Sequence, residues 1–220
     1  MTSTDHRTRV AAQRRARMRE ALLLAGLQVM AAKGPGATTV DDIVQAAGVA
    51  RGSFYNHFTT PDDLAQALGL ALGHEVMQAV GAALDGLQDP AARVGGGLRA
   101  LLALVRQVPV LGQFLIRSGW PSGLTRQAVA ASIGVDLRAG IATGRFLPLP
   151  QDLAEAMAGG IALGAVAVVL DGADRDALAA EALFRALGLS PAEASTLSAT
   201  PPPKADLGRE GLLPRLAASA

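Results

Sequence analysis

Residues 39–58 read TVDDIVQAAGVARGSFYNHF, and the reading of this stretch decides the fold. Val40, Ile43, Val44 and Ala47 recur at helical spacing on one face, and Phe54 and Phe58 do the same beyond a break at Gly48. A sharp turn between two helices favours a left-handed backbone, which glycine adopts at little cost. Ala46 and Ala47 are small enough for two helices to cross closely. The second segment then offers Arg51, Ser53, Tyr55, Asn56 and His57, a donor-rich face suited to an anionic partner. The pattern is a helix-turn-helix whose second helix is a candidate to read duplex DNA.

Working outward, the order Thr39-Val40, Ile43, Ala46-Ala47-Gly48-Val49, Gly52-Ser53-Phe54-Tyr55, His57-Phe58 and Leu64 resembles the N-terminal DNA-binding domain of the TetR family of transcriptional regulators. Leu22-Leu23, Ala25, Val29-Met30 and Gly34 carry the resemblance upstream, so that it covers residues 18–66 without a gap. It implies a DNA-binding regulator, a ligand-released repressor acting as a homodimer on a pseudo-palindromic operator. By the same resemblance Tyr55 and His57 fall on phosphate-touching positions, Ser53 beside a base-reading one, and Thr39 at a helix end that meets the DNA backbone. Side-chain chemistry adds that Arg51 can fork onto guanine or hold a phosphate, and Asn56 can pair with adenine or a phosphate. Gly52 permits close approach. Base readout is therefore expected from Arg51, Gly52, Ser53 and Asn56. Packing for Tyr55 and plain exposure for His57 are the alternatives.

Three positions depart from the family pattern. Pro61 stands where a phosphate-binding lysine is common, Ala50 where a Ser or Thr caps the reading helix, and Pro35 where an aromatic is frequent. Each weakens anchoring of the head without abolishing it.

Composition narrows the class. Half of the 220 residues are hydrophobic but only 3% are aromatic, so the core must be built from Leu, Ala and Val, which suits packed helices. There is no cysteine, which removes disulfides, thiolate nucleophiles and Cys-type zinc sites. The N-terminus is polar and Arg-rich without an apolar secretory core, so a cytoplasmic protein is expected. Charge is divided: residues 1–60 carry eight Lys/Arg against four Asp/Glu, residues 61–220 twelve against fifteen. A basic head on a mildly acidic body suits a protein that neutralises phosphates with one end. Arg7, Arg9, Arg14, Arg15, Arg17 and Arg19 crowd the first residues, as a solvated arm or as one that reaches DNA.

Stop and start signals divide the chain into a disordered Arg-rich arm (1–15), a helix-turn-helix head (16–60), a helical ligand-binding and dimerisation body (61–189) and a flexible Pro/Ala-rich tail (190–220). Thr38 or Thr39 caps the second helix, and Thr60-Pro61-Asp62-Asp63 opens a long fourth helix running to about Leu87. Helices are expected over 90–107, 122–143, 151–170 and 175–187, with a short one around Leu111, Phe114 and Leu115. No strand pattern occurs, and the expected class is all-α.

Residues 156–170 read AMAGGIALGAVAVVL, apolar all round, with Gly160 and Gly164 four apart. Such a helix belongs in a core or an interface. Glu155 and Asp171 bracket the run too tightly for a membrane span, so no membrane is expected. The family's homodimeric four-helix bundle places the interface at Ala158, Ile161, Ala162, Ala165, Val169, Leu183, Phe184 and Leu187, with burial in the monomer core as the alternative. Met77, Leu104, Phe114, Trp120, Ile133, Leu137, Ile141 and Phe146 are candidates to line a pocket for a small, largely apolar or aromatic effector, or they simply fill the core. His74, Gln78, Gln107, Gln113 and Arg117 are candidate polar anchors.

An enzyme is the rival from another class. Three histidines, no His pair at metal spacing and no Gly-x-Ser-x-Gly elbow give it little to work with, and neither cofactor nor metal is expected. Gly95-Gly96-Gly97 has no following Lys-Ser/Thr and no preceding strand, so it marks a loosened or close-packed helical stretch, not a phosphate loop. The other rival is a helical small-molecule-binding protein with a degenerate head. Salt dependence of duplex binding separates it from a regulator.

Overall fold

The computed structural model describes residues 3–119 and 123–218, and among them every regular element is helical. Eleven α-helices lie in these residues: α1 (Ser3–Lys33), α2 (Val40–Ala47), α3 (Arg51–Tyr55), α4 (Pro61–Ala83), α5 (Pro90–Gln107), α6 (Pro109–Ser118), α7 (Gly123–Ala142), α8 (Gln151–Leu170), α9 (Asp176–Ala186), α10 (Pro191–Ser198) and α11 (Leu212–Ala218). The chain divides into two compact units, Met1–Leu68 and Gly69–Ala220, with the boundary inside α4.

In the first unit α1 packs on α2, and Leu22, Leu27, Met30, Ile43, Phe54, Leu64 and Leu68 form a core with no more than traces of exposure. Leu64 of α4 sits directly on the α1 backbone at Gly26. A Cβ there would fall 2.4 Å from Leu64 Cδ2, so any side chain would force the leucine to shift. α1 also corrects an expectation: the arm over residues 3–15 is helical, not disordered. Ala, Arg and Gln are strong helix formers, and their propensity continues the helix past the point where its residues are buried.

In the second unit α5 is the central helix, packed on α7, α8 and α9. The glycine triplet is a close-packing device. A Cβ on Gly95 would lie 2.1 Å from the Phe184 ring, so the phenyl group sits directly on the α5 backbone. Arg145 pins three segments together. It makes a bidentate pair with Asp89 (2.8 Å for both bonds) and a 2.6 Å bond to Glu193, while Asp89 also accepts the Ala91 N–H at the start of α5. The Arg145 guanidinium thus holds the Asp89 carboxyl below the usual range, against a smaller opposing effect of burial.

The expected flexible tail is corrected too. Ser190 caps α10 by accepting the Glu193 N–H, Pro191 occupies its first turn, and Ala194 and Ser198 are buried. Further on, the Glu75 carboxylate of α4 accepts the N–H groups of Leu212 and Leu213 at 2.8 Å each, and Leu212, Leu213 and Leu216 are buried. α4 itself ends at Ala83, before Leu87, with Gly86 at φ 86° in the turn that follows.

α8 is long and apolar enough, at mean hydropathy 2.0, to cross a membrane by length and composition. One side of it is nevertheless buried, at Ala154, Ala158, Gly159, Ala165, Val166 and Val169, with α5, α6, α7 and α9 packed against it. This bears on the expected interface. Ala158, Leu183, Phe184 and Leu187 are buried within a single protomer and have no surface left for a partner. Ala165 and Val169 retain only an edge, and Ile161 and Ala162 are half-buried. The free surface of α8 lies at Leu153, Gly160, Gly164 and Val168, and that of α9 at Leu178.

Among the pocket candidates Leu104, Phe114, Leu137 and Phe146 are buried, and Ile133 and Ile141 are half-buried. Phe146 is seated against Gly140, where a Cβ would lie 2.1 Å from its ring, which makes it a packing residue. Met77 is 40% exposed and does not join the others. Trp120 lies outside the described residues. The candidate anchors His74, Gln78, Gln107, Gln113 and Arg117 are all exposed in the protomer.

Candidate nucleic-acid interface

The turn that presents the reading helix is built from the caps of α2. Thr39 closes a capping box: its hydroxyl accepts the Asp42 N–H, and the Asp42 carboxylate accepts the Thr39 N–H at 2.9 Å. Lys33, at the end of α1, adds a 2.7 Å salt bridge to the same carboxylate. Lys33 first and Thr39 second hold the Asp42 carboxyl down at about 2, from an ordinary value of 3.8. A depressed carboxyl contributes stability above its unfolded pKa and loses it as pH falls through the folded one. Between about pH 4 and pH 2, therefore, the difference in thermal midpoint between the wild type and Asp42→Asn is expected to shrink. Circular dichroism melts over that window check it, and a constant difference would refute the assignment.

Gly48 ends α2 in the left-handed conformation, φ 65° and ψ 34°, with its N–H directed to Val44 and Gln45 and the Val49 N–H bonded to Val44 O at 3.0 Å. That geometry swings the chain into α3, for which Ala50 offers no side-chain cap. α3 is regular only to Tyr55, although the helical spacing of Phe54 and Phe58 carries the pattern three residues further. The Phe58 N–H still bonds Phe54 O at 2.9 Å, so the last turn holds its shape. Phe54 is fully buried and anchors the helix. The Tyr55 ring stands edge-on to it at 5.5 Å, and Phe58 lies 5.9 Å away beneath the Arg19 guanidinium.

The structure places the expected readers around this anchor. Arg51, Gly52, Tyr55 and Asn56 are exposed, and Ser53 and His57 are half-buried. Gly52 has open space where a Cβ would be, so nothing within the protomer requires a glycine there. Arg51 is engaged in the free protein, its guanidinium 3.1 Å from the Asp41 carboxylate of α2. The Tyr55 oxygen, more than Asp41, raises its already high pKa. That cross-turn pair has no signature in the sequence. Both partners are exposed, so the pair contributes little to stability and is readily exchanged for a phosphate or a base.

A second feature was missed by reading the motif alone. Arg14, Arg15 and Met18 of α1 border one open hollow, of about 470 Å³, together with Ser53, Asn56 and His57. His57 titrates below the ordinary imidazole, first because it is part-buried and then because Arg15 and Arg19 repel a second positive charge. At neutral pH it is thus a neutral imidazole with one donor and one acceptor. The described residues contain no cluster of three or more potential metal-binding His, Cys, Asp or Glu side chains.

Comparison with known proteins matches this geometry. Residues 22–68 match the family described as bacterial regulatory proteins, tetR family, and residues 89–199 match the tetracyclin repressor-like C-terminal domain. No curated protein matches the chain. Among solved structures, RolR in complex with the ligand resorcinol is 29% identical, with a TM-score of 0.71 over 89% of this chain and 100% of that one. A tetR family transcription regulator from Shewanella sp. PV-4 is 25% identical, with a TM-score of 0.69 over 79% of this chain and 99% of that one. FadR from Bacillus subtilis in complex with stearoyl-CoA is 18% identical, with a TM-score of 0.61 over 77% and 98%, and shares the fold. With a helix-turn-helix head in one unit and a matching all-helical body in the other, the chain belongs to the TetR family of transcriptional regulators.

Proposed function

We propose that this protein is a ligand-released repressor whose homodimer binds a pseudo-palindromic operator in the cytoplasm. The observation that carries the reading is the donor face of α3, held by a buried Phe54 and a left-handed Gly48 so that its polar side chains point away from the core. Tyr55, His57 and Thr39 hold phosphates, and Arg51, Gly52, Ser53 and Asn56 read bases once Arg51 leaves Asp41. The 29%-identical relative that carries resorcinol supports a small aromatic effector. Leu104, Phe114, Ile133, Leu137 and Ile141 are the candidates to meet it in the body. α4 runs from the head unit into the body unit and is the element through which a bound effector shifts the head. Such a shift is limited to the effector's difference in affinity between the two states.

The dimer interface is proposed at the free surface of α8 and α9. A groove of about 310 Å³ there is lined by Leu102, Ile161, Gly164, Val168 and Leu178 among others. A Cβ at Gly160 or Gly164 would meet nothing in the protomer. Glycine inside a helix costs about 0.5–1 kcal/mol relative to alanine, and close approach by a partner helix is what would justify two of them.

Retention of fragmented genomic DNA by the purified protein, at moderate and high salt, is the first test of the function. An enriched palindrome supports the reading and names the target genes. Diffuse, salt-labile retention would show a head that meets phosphate without reading sequence. On the recovered site, Tyr55→Ala/His57→Ala is expected to weaken binding about 10- to 100-fold, from two lost hydrogen bonds of about 1 kcal/mol each. The loss should be equal on operator and non-operator DNA, as measured by fluorescence anisotropy. Full affinity in the double variant would remove both residues from the interface.

A further inference from the structure

α1 runs on as helix well before its first fully buried residue, Leu22, and residues 11–17 are all exposed. Nothing in the core of the head calls for that extension. Its sequence nevertheless places side chains in order. Arg14, Met18 and Leu22 lie four apart, as do Arg15 and Arg19, so one stripe passes from core leucine through half-buried Met18 to the two arginines. That stripe meets the exposed end of the reading helix, because Arg14, Arg15 and Met18 border the same hollow as Ser53, Asn56 and His57. Among the described residues no carboxylate lines the hollow, and neither Arg14 nor Arg15 forms an ion pair. Arg19 one turn on is occupied over the Phe58 ring at 5.2 Å. Two uncompensated guanidinium groups therefore share a space, wide enough for a phosphodiester, with the neutral donors Ser53, Asn56 and His57.

We infer that Arg14 and Arg15 grip backbone phosphates of the duplex that α3 enters, making the N-terminal extension of α1 a positioning part of the DNA interface. The inference rests on the DNA-binding reading above. The two arginines set register and affinity, and Ser53 and Asn56 beside them set sequence. They also supply cationic anchoring that Pro61 does not give at the start of α4.

Each phosphate neutralised contributes about 0.9 to the slope of log affinity against log salt. Arg14→Ala/Arg15→Ala is therefore expected to flatten that slope by about 1.8. Over a fourfold rise in salt the wild type should lose affinity about 12-fold more than the variant. Arg17→Ala, which removes an exposed charge that does not border the hollow, is the control and should change the slope by much less than one. Arg14→Lys/Arg15→Lys should restore most of the slope. Because the altered side chains lie outside the core, circular dichroism should show an unchanged fold. An unchanged slope in the double alanine variant overturns the inference, as does a control that flattens it as much per charge. A wild type that binds duplex DNA with no salt dependence sinks the DNA-binding reading itself, and the inference with it.

Discussion

Val168→Glu is expected to convert the dimer to monomers and to weaken operator binding by about 10²-fold or more. The argument begins in the protomer, where Val168 is 40% exposed on α8, so a carboxylate there reaches water and the body keeps its fold. In the proposed dimer the same position lies beside Gly164 and Leu178, on the surface that the two bare glycines leave open for a neighbouring helix. A charge buried there without a partner costs several kcal/mol, and two-fold symmetry places two like charges in one interface. Each protomer carries one reading head, so dissociation replaces a bivalent grip with two independent ones. Linked binding of this kind contributes about 10²- to 10⁴-fold. Light scattering reports the mass and anisotropy reports the operator affinity. Leu70→Glu, at an exposed leucine of α4 away from this stripe, should leave both unchanged. A Val168→Glu dimer of normal affinity would move the interface off α8.

The head was legible because its signals are local. A glycine in a left-handed turn, a threonine cap at residue 38 or 39, and two phenylalanines at helical spacing each act within a few residues of themselves, and the structure keeps all three, with Thr39 as the cap. The same grammar was present in the tail and was passed over. Ser190-Pro191-Ala192-Glu193 repeats the arrangement of Thr60-Pro61-Asp62-Asp63: a capping hydroxyl, a proline in the first turn and an acid three residues on. Composition hid it, because Pro, Ala and Ser suggested disorder while Ala194 and Leu213 were in fact filling the body. Four of the expected interface residues, Ala158, Leu183, Phe184 and Leu187, lie buried in the protomer for another reason. A helix that is apolar on every side has no face that its sequence can orient, so Ala158 and Gly160 look alike until the packing of α5 and α9 separates core from surface. The meeting of Arg14 and Arg15 with His57 depends on tertiary geometry over about forty residues, which spacing alone does not encode.

Phe54→Ala should abolish operator binding by unfolding the head while leaving most helical structure in place. Phe54 is the one large side chain through which α3 enters the core, with no exposure, with Tyr55 edge-on to its ring and with Phe58 tilted against it. Its truncation removes apolar burial and leaves a cavity, together about 3–5 kcal/mol. The head is a small unit, α3 has no side-chain cap, and a five-residue helix has little stability of its own, so this loss approaches everything the unit has to lose. The second unit has its own core around α5 and its own ties at Arg145 and Glu75, none of which involves Phe54. The variant should therefore lose DNA affinity to the level of non-specific charge attraction. It should lose helical ellipticity only in proportion to the head and still scatter as a dimer. Hydrogen exchange gives the sharpest reading: amides of residues 40–58 should lose protection while those of α5 and α8 keep it. Protection lost equally in both units would show one cooperative structure and refute the independence of the body, and full protection at 40–58 would show that Phe54 is not the anchor its burial implies.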